Sequence, residues 1–116
     1  MRTILVIDDD KPVLETVREI LAKFGYKVET AADGKEGIQK FDAGDFDLVI
    51  TDIRMPGING SGVAQHIRNS DRHFTPVIGI SGTPWLLQGT DFDAVLPKPF
   101  QIKTLIESVK KLVTTP

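Results

Sequence analysis

Two periods of apolar residues alternate along this chain. Short unbroken apolar runs, of the kind that fill a strand covered on both faces, occur at Ile4-Leu5-Val6-Ile7, Leu48-Val49-Ile50 and Pro76-Val77-Ile78-Gly79-Ile80-Ser81. Between them the apolar positions recur at helical spacing. Val13, Leu14, Val17, Ile20, Leu21 and Phe24 form one such stripe, Ile38 and Phe41 a second, and Val63, Ala64 and Ile67 a third. Ile102, Leu105, Ile106, Val109, Leu112 and Val113 form the last and longest. Two weaker strands complete the series. Lys27 to Ala31 has Val28 as its clearest apolar position and charged flanks that suit a sheet edge, and Ala94-Val95-Leu96 is the fifth strand.

The punctuation agrees with this reading. Pro12 fits the first turn of a helix and Gly25 its end. Asp33 with Glu36 three residues on reads as an N-cap and its reciprocal partner, with Gly44 as the stop. After the turn-rich Pro56-Gly57-Ile58-Asn59-Gly60, Ser61 is the expected cap of the third helix. Strict strand–helix alternation implies βαβ units. The expected fold is therefore α/β: a doubly wound, five-stranded parallel sheet in the order 2-1-3-4-5, flavodoxin-like.

One connection is too short for that pattern. Sixteen residues separate Ser81 from Lys98, and the fifth strand takes the last few, whereas a mean helix needs about 11–12 residues before its loops. With Thr83 as cap, Pro84 as first helical residue and Gly89 as stop, the fourth helix shrinks to Pro84-Trp85-Leu86-Leu87-Gln88, about one turn. Trp85, Leu86 and Leu87 then either cover the core or form an exposed partner patch.

Composition narrows the function classes. The 116 residues suit one domain, 41% hydrophobic and 26% charged, and a single domain over residues 1–116 with no effector domain is expected. A net charge of -2 with mixed signs disfavours direct nucleic-acid binding. The absence of cysteine excludes disulfides, thiolate chemistry and Cys-type metal sites. No apolar run suits a signal peptide or a membrane span, so a cytoplasmic protein without membrane insertion is expected.

The strand ends carry the chemistry. Asp8 and Asp9, Asp52, Ser81 and Lys98 all fall at the carboxyl ends of parallel strands, on the sheet edge where ligands bind. In the 2-1-3-4-5 order the carboxylates after the first and third strands are neighbours. Such a cluster either keeps a proton or binds a cation, and a hard divalent ion such as Mg²⁺ suits it because these loops offer no His or Cys. Lys98 adds a cation and Ser81 a hydroxyl, so a phosphoryl group on Asp52 would have its charge balanced from two sides.

The joint occurrence of Val6-Ile7-Asp8-Asp9, Val49-Ile50-Thr51-Asp52-Ile53-Arg54-Met55-Pro56-Gly57, Ile80-Ser81-Gly82 and Leu96-Pro97-Lys98-Pro99-Phe100 resembles the receiver domain of bacterial two-component response regulators, over essentially the whole chain. The resemblance implies that Asp52 takes a phosphoryl group from a phosphohistidine of a histidine kinase or phosphotransfer protein, and that a downstream effector reads the result. It further implies that Asp9, Asp52 and the backbone carbonyl of Arg54 coordinate Mg²⁺ or Mn²⁺, with Asp8 assisting through water. Ser81 and Lys98 would hold phosphoryl oxygens, with the amides of Ile53 and Gly82 as further donors. The Lys98-Pro99 bond is expected to be cis.

Departures from the family pattern are as informative. Val95 stands where an aromatic usually precedes the lysine by three residues, so the usual aromatic switch is expected to be absent. With the fourth helix cut short, the usual dimer face of fourth helix, fifth strand and last helix is expected to be incomplete. Arg54 and Thr83 lie two residues beyond Asp52 and Ser81, at the rim where hydrolytic water approaches, and Arg54 either screens that water or pairs with Asp10. Asp10 reads equally as a helix-start residue. His66 and His73 read as surface residues, and Lys103, Lys110 and Lys111 as the wet face of the last helix.

Two rival readings use other features. The spacing of Asp8 and Asp10 is similar to that of the haloacid-dehalogenase phosphatases, although Pro12 and the absence of room for a cap domain count against it. A pseudo-receiver that binds partners without phosphate is the other.

Overall fold

The computed structural model describes residues 2–84 and 91–113. The strands β1 (Thr3–Ile7), β2 (Lys27–Ala31), β3 (Leu48–Asp52), β4 (Val77–Ser81) and β5 (Ala94–Pro97) are all parallel and lie in the order β2-β1-β3-β4-β5. The helices are α1 (Lys11–Lys23), α2 (Gly34–Ala43), α3 (Gly60–Arg68) and α4 (Ile102–Val113).

Because successive strand residues face opposite sides of a sheet, each apolar run feeds two cores. Ile4, Val6, Leu48, Ile50, Ile78 and Ile80 pack under α1 and α4, against Leu14, Val17, Leu105 and Val109. Leu5, Ile7, Val49 and Val77 pack on the other side with Phe41, Val63 and Ile67 of α2 and α3. This is why the three central strands read as continuous apolar runs while the exposed edge strand β2 alternates. Register then sets the chemistry. Ile7 pairs with Thr51 and Asp52 with Ile80, while Ser81 pairs with Pro97. Asp8, Asp52, Ser81 and Lys98 consequently arrive on one edge.

The caps follow local chemistry. Asp33 accepts from Glu36 N at 2.8 Å, and Glu36 Oε1 accepts from Ala32 N at 2.7 Å. Two expectations are corrected. Asn59, not Ser61, caps α3, its Oδ1 accepting from Gly62 N at 3.0 Å. The reason lies one residue on: a Cβ on Gly60 would sit 2.6 Å from the Asp52 carbonyl oxygen and 2.7 Å from Ile53 Cα, so only glycine lets α3 begin against the end of β3. Phe24 does not join the core stripe. It follows the last residue of α1, is 49% exposed, and lies beneath the Lys110 ammonium, 5.6 Å from its ring centroid.

β5 is held by contacts that periodicity does not reveal. The Arg68 guanidinium donates to the carbonyls of His73, Thr75 and Asp91 at 2.7–2.8 Å and to Asp93 Oδ2 at 2.7 Å. Asp93 Oδ2 also accepts from Val77 N at 2.7 Å, so α3, β4 and the entry to β5 are joined at one point. Beside it Phe92 covers Gly79, where a Cβ would meet the ring at 3.0 Å and Ile53 Cδ1 at 2.9 Å. The one-turn helix expected over Pro84–Gln88, with Trp85, Leu86 and Leu87, falls outside the described residues except for Pro84.

Gly60→Ala tests the close approach of α3. Helix propensity alone favours alanine by about 1 kcal/mol, but the clash with the Asp52 carbonyl is of the overpacking kind that costs about 1–3 kcal/mol. A lowered urea midpoint is expected, and an unchanged or raised midpoint contradicts the packing described.

Candidate functional site

Three carboxylates meet where β1 and β3 end. One oxygen each from Asp8, Asp9 and Asp52 lie within 4.8 Å of one another. Asp8 and Asp52 are buried, at 2% and 6% exposure, whereas Asp9 is exposed. Asp8 is anchored twice: its N–H donates to Ala31 O at 3.1 Å, and its Oδ1 accepts from Asp10 N at 2.9 Å. Lys98 Nζ lies 3.3 Å from Asp52 Oδ1 and 3.9 Å from Asp8 Oδ2. Its backbone N–H donates to Ser81 O at 2.9 Å, tying the end of β5 to β4, and the Lys98–Pro99 bond is cis.

The electrostatics follow from burial. Loss of solvent, joined by the neighbouring charges of Asp52 and Asp9, raises the Asp8 pKa to about 6, although the Asp10 amide and Lys98 pull the other way. Burial also raises the Asp52 pKa, with Asp9 adding to it and Lys98 and the Ile53 amide opposing. One ammonium faces three carboxylates. The remaining negative charge and the all-oxygen donor set fit a hard divalent cation.

The other expected site residues divide. Ser81 is buried, and its Oγ accepts from Thr83 N at 3.0 Å. Gly82 is exposed beside it. The Ile53 N–H donates to Ile80 O at 3.0 Å and also opposes the rise of the Asp52 pKa, so it serves both β4 and the site aspartate. Asp10 is the N-cap of α1, its carboxylate accepting from Val13 N at 3.4 Å, and it stands apart from the cluster. Arg54 is exposed, and among the described residues no ion pair joins it to Asp10. Val95 is half-buried in β5. His66 pairs with Asp42 at 2.8 Å, joining α3 to α2.

Sequence reasoning missed Thr51. Its side chain is fully buried and its hydroxyl donates to the Asp52 carbonyl at 2.9 Å. The available signal was a hydroxyl interrupting an apolar strand immediately before the site aspartate.

Residues 4–110 match the model of the response regulator receiver domain. The chain belongs to the response regulator receiver family. It is 32% identical over 113 residues to the regulatory protein VanRB of Enterococcus faecalis, covering 95% of this chain and 51% of that protein. It is 33% identical over 115 residues to the sensor histidine kinase AtsR of Burkholderia thailandensis, covering 93% of this chain and 19% of that protein. A solved structure of TrrA from Thermotoga maritima, in complex with Mg²⁺–BeF, superposes with a TM-score of 0.88 at 38% identity, covering 97% of this chain and 99% of that one. The chain thus spans about half the length of VanRB.

As a receiver domain, the chain is a phosphoacceptor whose aspartate cluster supports its own phosphorylation and dephosphorylation rather than turnover of a separate substrate. Among the described residues no helix is long and apolar enough to cross a membrane.

The raised Asp8 pKa has a testable sign. Asp8 binds a proton more tightly folded (about 6) than at its ordinary value of 3.8. Its contribution therefore favours the folded state below about pH 4 and is lost as pH rises through about 6. In the absence of divalent metal, Asp8→Asn is expected to stabilise the protein at pH 7.5 by up to about 3 kcal/mol. That gain should shrink as pH falls through 6. Urea melts of both proteins across this range check it, and a pH-independent difference contradicts it.

Proposed function

We propose that Asp52 is the phosphoacceptor and that the donor is a phosphohistidine of a histidine kinase or phosphotransfer protein in the cytoplasm. The observation that supports this best is the placement of Asp52. It is a buried carboxylate at the end of the central strand, with Lys98 Nζ 3.3 Å from its Oδ1 and two further carboxylates alongside.

In the reaction an Asp52 carboxylate oxygen attacks phosphorus in line, a P–O bond forms as the P–N bond to the donor imidazole breaks, and the imidazole leaves with the bond pair. Lys98 lies where it balances charge on a phosphoryl oxygen. The Ser81 hydroxyl has one proton, and the Thr83 amide fills only one of its acceptor positions, so the proton is available to a second oxygen. The exposed Gly82 amide suits a further donor.

Asp8, Asp9 and Asp52, with the backbone carbonyl of Arg54, would hold Mg²⁺ or Mn²⁺, which when bound supplies positive charge to the transferring phosphoryl oxygens. Of these, Asp8 and Asp52 are the carboxylates that burial holds back from ionising, and added positive charge would favour their ionised forms. Donor access suits the groove of about 600 Å³ beside Lys98, lined by Pro12, Val13, Ile20, Pro99, Phe100 and Ile102. Arg54 and Thr83, at the rim, would set the lifetime of the acyl phosphate, and an effector of unspecified type would read the change.

Incubation with acetyl phosphate or phosphoramidate and Mg²⁺ is expected to add the mass of one phosphoryl group, and Asp52→Asn to abolish the addition. No added mass, or addition that survives Asp52→Asn, overturns the assignment. Arg54→Ala is expected to change the dephosphorylation rate several-fold more than the phosphorylation rate, since its side chain is exposed at the rim. Equal changes in the two rates, followed by intact mass against time, would count against a role in water access.

A further inference from the structure

Thr51 is a polar residue in an apolar place. It lies in β3 with no exposed surface, on the sheet face occupied by Leu5, Ile7, Val49 and Val77. Valine has almost the same shape and carries no hydroxyl to desolvate, so packing alone would favour it. The hydroxyl donates its proton to the carbonyl of the next residue, Asp52, at 2.9 Å.

That carbonyl belongs to the peptide joining Asp52 to Ile53. The other end of the same peptide, the Ile53 N–H, donates to Ile80 O of β4 at 3.0 Å. The following carbonyl, Ile53 O, accepts from Gly60 N at 3.0 Å. The backbone leaving the site aspartate is thus held at three successive polar groups: a side-chain hydroxyl, a neighbouring strand and the start of α3. Two of these restraints are main-chain contacts, one in the strand ladder and one that needs glycine at position 60. The Thr51 hydroxyl is the side-chain member of the set. Without the Thr51 hydroxyl this peptide would be held through its N–H alone, and the Asp52 backbone and the direction in which the chain enters Arg54 would be less tightly fixed.

We propose that Thr51 is a positioning residue of the phosphoacceptor site: its buried hydroxyl fixes the Asp52–Ile53 peptide, and through it the presentation of the Asp52 carboxylate and the Arg54 carbonyl. This rests on the reading of Asp52 as the phosphoacceptor. It adds that the residue before it, which touches neither phosphoryl group nor donor, sets the geometry of both groups through one hydrogen bond.

Thr51→Val removes the hydroxyl and keeps the shape; Thr51→Ser keeps the hydroxyl. The first readout is made without metal or phosphodonor: hydrogen exchange of the Ile53 amide by NMR, compared with core amides such as Val49. The second is the Mg²⁺ concentration that gives half-maximal phosphorylation by acetyl phosphate, separated from the rate at saturating Mg²⁺. In Thr51→Val the Ile53 amide is expected to exchange at least tenfold faster relative to Val49, and the half-saturating Mg²⁺ concentration to rise several-fold. Thr51→Ser is expected to restore both to within about twofold. The proposal is overturned if Thr51→Val is less stable to urea yet leaves the relative exchange and the Mg²⁺ dependence unchanged, which is the signature of a packing role. It is also overturned if Thr51→Ser behaves like Thr51→Val. Failure of the Asp52 assignment is distinguishable, because phosphorylation would then persist in Asp52→Asn whatever residue stands at 51.

Discussion

The structure depends on a repulsion it does not avoid. Asp8 and Asp52 end adjacent parallel strands, both are buried, and Asp9 adds a third carboxylate within 4.8 Å. Charges in such a setting interact several times more strongly than in water, and the pKa of both buried acids is raised, first by the loss of solvent and then by the neighbouring carboxylates. A hydrophobic pair at the same positions would stabilise the fold more. The site therefore makes sense as a place where the metal-free fold is held short of its best electrostatics, and where added positive charge is bound in proportion. Lys98, 3.3 Å from Asp52 and 3.9 Å from Asp8, removes part of the imbalance and leaves the rest for a ligand.

Holding such a cluster together requires a rigid base, and the two cores supply it. The apolar faces of β1, β3 and β4 are covered by α1 and α4 on one side and by α2 and α3 on the other. The strand ends then cannot splay to relieve the repulsion without exposing those faces. Burial of each large side chain is worth about 1.5–3 kcal/mol, so several core residues together outweigh the cost of one poorly placed charge. The loops are pinned more locally. Gly60 lets α3 begin against the Asp52 backbone, and Arg68 joins α3 to the entry of β5 through Asp93. Arg68 is mostly covered and satisfies three carbonyls, so its value lies in hydrogen bonds rather than in the partly exposed ion pair alone.

The fold was largely legible because it rests on periodicity. Val6, Ile50 and Ile80 announce buried parallel strands by composition alone, and a 2-1-3-4-5 order then places Asp8 beside Asp52. The charge imbalance was also readable, since it follows from that adjacency. What escaped were contacts depending on distances between backbones. Ser61 is a good cap by residue type, yet the helix starts earlier because Gly60 must approach Asp52. Phe24 continues the apolar spacing of α1, and only the end of that helix places its ring beside Lys110 instead of the core. The clasp at Arg68 and the seating of Phe92 over Gly79 join residues far apart in sequence, for which no local pattern exists.

The same reasoning bears on how this site communicates with the rest of the chain. Val95 has neither a ring to reorient nor a polar atom to follow a change in charge, so β5 offers the phosphoacceptor only its packing. Ser81 is different. Its Oγ already accepts from Thr83 N at 3.0 Å, and the hydroxyl has one proton to give. A phosphoryl oxygen that draws the Ser81 proton therefore acts on a group whose lone pair holds the Gly82–Thr83 turn. If a phosphoryl oxygen drew Oγ from its present position, the bond from Thr83 N would bend, and a hydrogen bond weakens steeply far from linear. On the reading of Asp52 as the phosphoacceptor, this hydrogen bond would couple it to the turn after β4, by a route that does not use position 95.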